Sequence, residues 1–321
     1  MTVKAGADRR EFLRTAGRLL AAGALAPIAD SPAGIASSPP PESPARVPVL
    51  DCHAHAGISS LPGRADGLTD PWAALEPFPL AASNPAATHG AAPVNPEGII
   101  RRAEQVGIDR TMICPIQNIT YDKANEEIAG ICRKYPGKFI GFAIHDSVLE
   151  AGHLRESVYR EVKELGLRGL GELYGQTPPT PELLDLAREL NLPVLYHPHG
   201  GPHGEESVSR FWECVPGYPT VNFILAHLGS DQSDDWHQHV AAIELAKRHP
   251  NVYVDTSSVL LTGYLDKAIR ELPPEKIIFG SDEPEGDARL EIYKIRMLKL
   301  PKEREDLILG GNLLRLLGGR I

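Results

Sequence analysis

From Val47 onward the chain alternates short, β-branched apolar runs with longer stretches of helical period, eight times over. The strand candidates are Val47–His53, Arg110–Pro115, Phe139–Ile144, Gly169–Leu173, Val194–His197, Asn222–Ala226, Val252–Asp255 and Ile277–Gly280. Helix-like segments lie between them: Pro96–Val106, Asn125–Tyr135, Leu154–Leu165, Pro181–Leu190, Asp234–Arg248 and Tyr264–Leu272. Pro96 and Pro181 stand where helices start and Gly107 where one stops, as capping chemistry requires. Strands that alternate with helices are parallel and joined by right-handed crossovers. Eight such units predict an α/β chain closed into a (β/α)8 TIM barrel. The competing doubly wound sheet lacks its sign, a G-x-G-x-x-G after the first strand.

The chain ahead of Val47 reads differently. Asp8-Arg9-Arg10-Glu11-Phe12-Leu13-Arg14 precedes an apolar stretch from Leu19 to Ala29. A charged region, a short apolar region and small residues form an export signal, too short to span a bilayer. The paired arginines followed by x-Phe-Leu resemble a twin-arginine signal, which carries folded proteins to the periplasm or beyond. Residues 1–36 are therefore read as the signal, 37–46 as a Pro- and Ser-rich linker, and 47–321 as the barrel. Replacing Arg9 and Arg10 together with lysine is expected to leave precursor in the cytoplasm. Unchanged export in a fractionation assay would remove this reading.

Composition narrows the function classes. The chain has 33 basic and 42 acidic residues, and beyond residue 46 the formal charge is −11. A body this acidic is a poor nucleic-acid binder, because phosphate neutralisation needs clustered Lys and Arg. No apolar run is long enough for a stable membrane span, which leaves a small-molecule substrate as the expected partner. Cys52, Cys114, Cys132 and Cys214 form no C-x-x-C pair and are expected to be buried thiols.

Twelve histidines carry the functional argument. In a TIM barrel the chemistry sits at the C-terminal ends of the strands, and five of these strands end on a metal-capable side chain. The first reads Asp51-Cys52-His53-Ala54-His55, and residues at i and i+2 of a strand share a face. The fourth carries Glu172, the fifth ends at His197, the sixth at His227 and the eighth at Asp282. Imidazoles and carboxylates suit a divalent metal, zinc first among several. His145, His199 and Asp255 are candidates for orienting substrate or a ligand. The stretches Gly57–Asn95, with Arg64, Trp72, Phe78 and His89, and Gly200–Phe211 read as long loops at the same mouth.

H-x-H on the first strand, His on the fifth and sixth and Asp on the eighth resemble the amidohydrolase superfamily. Gly310-Gly311-Asn312 and the run Pro250–Ser257 are similar to its amidohydrolase-related branch. The resemblance implies that His53, His55 and Asp282 hold one ion and His197 and His227 a second. No lysine stands in 167–175, where many members carry one. Glu172 instead resembles the bridging glutamate of TatD-type hydrolases. One or two ions are thus expected, with Asp282 as proton carrier and His227 polarising a substrate oxygen.

Glu172 tips the sequence reading towards a hydrolase that turns a metal-activated water on an amide, lactone or other ester-like bond. The alternative is a metal-dependent, non-oxidative decarboxylase of an aromatic or unsaturated carboxylic acid. A periplasmic binding protein with a relic site is disfavoured by the filled ligand positions. A TatD-like nuclease is disfavoured by the charge.

Overall fold

The computed structural model describes residues 46–57, 96–115, 121–147, 150–174, 179–198, 207–231 and 236–321. Eight parallel strands run in chain order: β1 (Leu50–Asp51), β2 (Arg110–Ile113), β3 (Phe139–Gly141), β4 (Leu170–Tyr174), β5 (Val194–His197), β6 (Phe223–Leu225), β7 (Val252–Asp255) and β8 (Ile277–Ile278). The regular ladders group β1–β3 and β4–β8. Single bridges close the two seams. At β3–β4, Ala143 N donates to Gly169 O at 3.0 Å and Gly171 N to Ala143 O at 2.7 Å. At β8–β1, Cys52 N donates to Phe279 O at 2.9 Å and Asp282 N to His53 O at 2.7 Å. The expected barrel is therefore present.

Outside it lie α1 (Pro96–Val106), α2 (Asp122–Lys134), α3 (Leu154–Arg160), α4 (Pro181–Leu190), α5 (Ser207–Cys214), α6 (Trp236–Arg248), α7 (Thr262–Glu271), α8 (Ala288–Met297), α9 (Lys302–Asp306) and α10 (Asn312–Leu316). α4 begins as its sequence demands: Thr180 caps Leu183 N and Pro181 occupies the first turn. α3 runs on through a π-helical turn, Glu161–Leu165, to the sequence boundary. α5 corrects the loop expected through Phe211. Val208, Phe211 and Val215 recur at helical spacing and are buried, Phe211 stacking on Tyr196 at 4.6 Å.

Period-2 alternation along the strands separates two cores. Leu50, Met112, Ile140, Leu195, Ile224, Tyr253 and Ile278 fill the barrel with Leu313, Leu316 and Leu317. Val194, Phe223, Leu225, Val252 and Val254 face the helices instead. Each fully buried Leu or Ile contributes roughly 1.5–3 kcal/mol. Immediately before β4, Gly169 leaves room for the Phe142 ring, from which a Cβ would fall only 2.4 Å away. At Gly171 a Cβ would meet Leu195 O at 2.4 Å, so only glycine lets β4 approach β5 here. The β4–β5 register shifts at this point, between Leu170 and Leu173.

Cys52 and Cys114 are buried as expected, but Cys132 and Cys214 are only half-buried, because both sit on outer helices. Among the described residues no helix is long and apolar enough to cross a membrane. The sequence readings on residues 1–45, on 58–95, including Arg64, Trp72, Phe78 and His89, and on His199 lie outside the described residues.

Candidate metal centre

The six sequence-predicted side chains converge at the C-terminal mouth of the barrel. His53 and His55 follow β1, Glu172 lies in β4, His197 ends β5, His227 follows β6 and Asp282 follows β8. Their placement depends on breaks in regular structure. His227 and Leu228 adopt left-handed backbone at φ 56° and 51°, and Asp282 at φ 58°. These turns redirect side chains from the strand ends to the axis.

His53 Nε2 lies 3.2 Å from Glu172 Oε1 and 3.6 Å from Asp282 Oδ1. His55 Nε2 lies 3.5 Å from Glu172 Oε2 and 3.5 Å from Asp282 Oδ1. Glu172 Oε1 is also 2.8 Å from His197 Nδ1 and 3.6 Å from His227 Nε2. His197 Nδ1 and His227 Nε2 are 3.2 Å apart. Two triads bring their ligand atoms close enough to share an ion: His53, His55 and Asp282, and His53, Glu172 and His227. The five residues of these triads are buried, whereas His197 is half-buried and keeps 12% of its side chain exposed.

The back of the site is a brace that the sequence reading only half anticipated. Asp255, at the end of β7, accepts from His53 Nδ1 at 2.9 Å, His227 N at 2.7 Å and Ser257 N at 3.0 Å. Ser257 Oγ donates to Asp255 at 2.8 Å and lies about equally near His53 Nδ1 and His227 Nδ1, at 3.1 and 3.0 Å. His227 Nδ1 also faces the Ser257 carbonyl at 3.2 Å. Acceptors at both Nδ1 atoms assign the protons there and turn the Nε2 lone pairs inward. Ser258 Oγ donates to Asp282 Oδ2 at 2.6 Å, which leaves Oδ1 facing the imidazoles. Ser257 and Ser258 were missed; the only signal was their place beside Asp255 in Asp-Thr-Ser-Ser.

These residues fit a divalent cation on two grounds. His53 Nε2 is buried and makes no hydrogen bond, although it faces a carboxylate oxygen at 3.2 Å. A lone pair opposed to an anionic oxygen is repulsive unless a proton or a metal ion stands between them. The donor set, imidazole nitrogen with carboxylate oxygen, also suits zinc, manganese and similar ions.

Electrostatics give the same picture. Burial disfavours the His53 imidazolium, but Glu172 and Asp255 outweigh it and hold its pKa well above the ordinary value. His55 is raised likewise, burial being outweighed by Cys114, Asp282 and Glu172. Burial also opposes His227, yet Asp282 and Glu172 push it up to about 9. Conversely, burial would raise Glu172 and Asp282, but the surrounding imidazoles hold both below the usual carboxylate range. A metal ion must displace these protons, so acid opposes binding. Apparent affinity is expected to fall by about tenfold per pH unit for each proton displaced as pH drops below the His227 value. Competition titration from pH 9 to 6 measures this, and a flat profile would contradict protonated ligands.

His145, a further histidine candidate, has both ring nitrogens engaged by carboxylates. His145 is locked between Glu161 at 2.7 Å and Glu150 at 3.1 Å. Although burial opposes its charge, these two carboxylates raise it to about 9. Asn125 completes that network, donating to the Ile144 carbonyl at 3.1 Å and to Glu161 at 2.6 Å. His239 is buried in α6 with Nδ1 at 3.0 Å from Leu228 O, and so supports the turn that carries His227.

The amidohydrolase family model matches residues 50–319. No curated protein matches the sequence. Among solved structures, 5-carboxyvanillate decarboxylase from Sphingomonas paucimobilis is similar at 17% identity and TM-score 0.61, covering 85% of this chain and 99% of its own. A dihydroxybenzoic acid decarboxylase from a Polaromonas species, with bound manganese and 2-nitroresorcinol, is similar at 16% identity and TM-score 0.59, covering 84% and 97%. An uncharacterised TIM-barrel protein from Bordetella bronchiseptica is similar at 18% identity and TM-score 0.58, covering 85% and 99%.

Proposed function

Because the chain belongs to the amidohydrolase family, we propose that it is a metal-dependent decarboxylase of a hydroxy-substituted aromatic carboxylic acid. The observation that carries this reading is the buried His53–His55–Asp282 group at the barrel mouth, with one Asp282 oxygen turned inward. Two similar structures, decarboxylases of 5-carboxyvanillate and of dihydroxybenzoic acid, support the substrate class. The preference for hydrolysis drawn from Glu172 gives way to its alternative on this account.

His53, His55 and Asp282 would hold the ion, with Glu172 and His197 beside them. When bound, a divalent ion supplies a Lewis acid that polarises the substrate's oxygens. The remaining steps belong to the chain. Asp282, whose carboxylate is oriented by Ser258 Oγ, takes the proton of the ring hydroxyl and returns it to the ring carbon that bears the carboxylate. The bond from that carbon to the carboxylate then breaks, its electron pair restores the ring, and carbon dioxide leaves. The phenolate left behind regains a proton from solvent. His227 steadies the charge on the substrate oxygen, and Asp255 with Ser257 keeps its ring aimed.

A second reading is kept because of one observation: Glu172 reaches His55 with one oxygen and His53, His197 and His227 with the other. That span suits a bridge between two ions and a hydrolase. Purified protein loaded with manganese or zinc, incubated with a panel of 2-hydroxybenzoates and of aryl esters and lactones, separates the readings. Release of carbon dioxide is expected. Ester or lactone opening without decarboxylation would overturn the proposal.

A further inference from the structure

We propose that the ion pair between Arg102 and Glu283 is a latch that sets the positions of His55 and Asp282 across the β8–β1 seam. The proposal rests on the metal-centre reading above. Arg102 lies on α1, and its Nε donates to Glu283 at 2.6 Å to Oε1 and 2.8 Å to Oε2. Its Nη2 donates to Oε2 as well. Oε1 also accepts from Ala288 N, at the start of α8, at 3.1 Å. Glu283 is 1% exposed, so this carboxylate is fixed to two outer helices and shielded from water.

The backbone of the same residue touches both ligands. Its carbonyl accepts from His55 N at 2.6 Å, and Ala54 pairs with it across the seam. Asp282 precedes it in the chain, and Glu283 N is held by Ser281 Oγ at 3.3 Å. A shift of the Glu283 main chain therefore moves the His55 main chain and Asp282 together. A planar guanidinium fork fixes a carboxylate in direction as well as distance, whereas a lysine supplies charge alone. Metal sites tolerate little error: a ligand displaced by about 0.5 Å is already outside productive geometry. Arg102 is thus a positioning residue that touches neither ion nor substrate.

The test compares wild type, Arg102→Lys and Arg102→Met, each titrated with Co(II) against a chromophoric chelator. The visible Co(II) spectrum and the melting temperature are recorded alongside. Arg102→Met is expected to weaken Co(II) binding by about 10–100-fold, the range seen when an outer partner of a metal ligand is lost. Arg102→Lys is expected to lose less and to show an altered spectrum, because charge without the fork leaves the geometry loose. If Arg102→Met does not fold, Arg102→Lys decides. Folded variants with a lower melting temperature but wild-type affinity and spectrum would overturn the latch and leave Arg102 a structural residue. Wild-type protein that binds no divalent ion would overturn the metal-centre reading, and the latch with it.

Discussion

Asp282→Asn is expected to reduce decarboxylation by about 10²–10⁴-fold, the usual scale for loss of a positioned proton carrier. The barrel should remain folded. Asparagine keeps an oxygen to accept from Ser258 Oγ and fits the same left-handed backbone, which tolerates Asn and Asp best among non-glycine residues. What it cannot do is take up the substrate's proton. It also removes an anion 3.6 Å from His53 and 3.5 Å from His55, so metal binding should weaken as well. Turnover is therefore to be measured at saturating metal, with far-UV circular dichroism as the check on folding. Near-normal turnover in the variant would remove Asp282 from the chemistry.

Glu172→Gln is the second change with a large expected effect, and it divides the two functional readings. The substitution preserves shape and removes one negative charge from among four imidazoles. For a decarboxylase, one equivalent of metal per chain is expected in the wild type. The variant should retain that equivalent with affinity weaker by at least about tenfold, as for other carboxylates that support a ligand shell. A hydrolase with two ions predicts otherwise. There the carboxylate offsets the mutual repulsion of ions ~3.5–4 Å apart, and the variant should drop from two equivalents to one. Elemental analysis of both proteins separates these outcomes, and a wild-type content of two would overturn the decarboxylase.

Much of the candidate site was legible because metal-capable side chains recur at the ends of five predicted strands, where a TIM barrel gathers its chemistry. His53, His55, Glu172, His197, His227 and Asp282 were each found in or within two residues of the C-terminal end of a predicted strand, and the structure brings all six together. The brace was less legible. Asp255 stood out as a carboxylate on β7, but nothing in Asp-Thr-Ser-Ser marks Ser257 as lying between two imidazoles that are distant in sequence. Arg102 and Glu283 are 181 residues apart, and no local pattern couples them. The long loop read through Phe211 failed for a different reason. Apolar spacing in Val208–Val215 was outweighed by the Gly, Pro and His run before it, although Phe211 had a place to pack.

The sequence by itself determined the architecture. Hydrophobic periodicity switches between 2 and 3.6 residues, and each switch is a local property that survives any long-range rearrangement. Hence β5, β7, α1 and α4 have the bounds read from sequence. Tertiary structure alone decided which way the ligands point. Parity along a strand holds only while the ladder is regular, and here it ends early: β1 stops at Asp51, two residues before His53. β4 shifts register beside Glu172, and His227 and Asp282 sit on left-handed backbone. Those departures are set by seam hydrogen bonds and by close approaches such as Gly171 to the Leu195 carbonyl. They exist only once distant strands meet, so no local reading of the chain contains them.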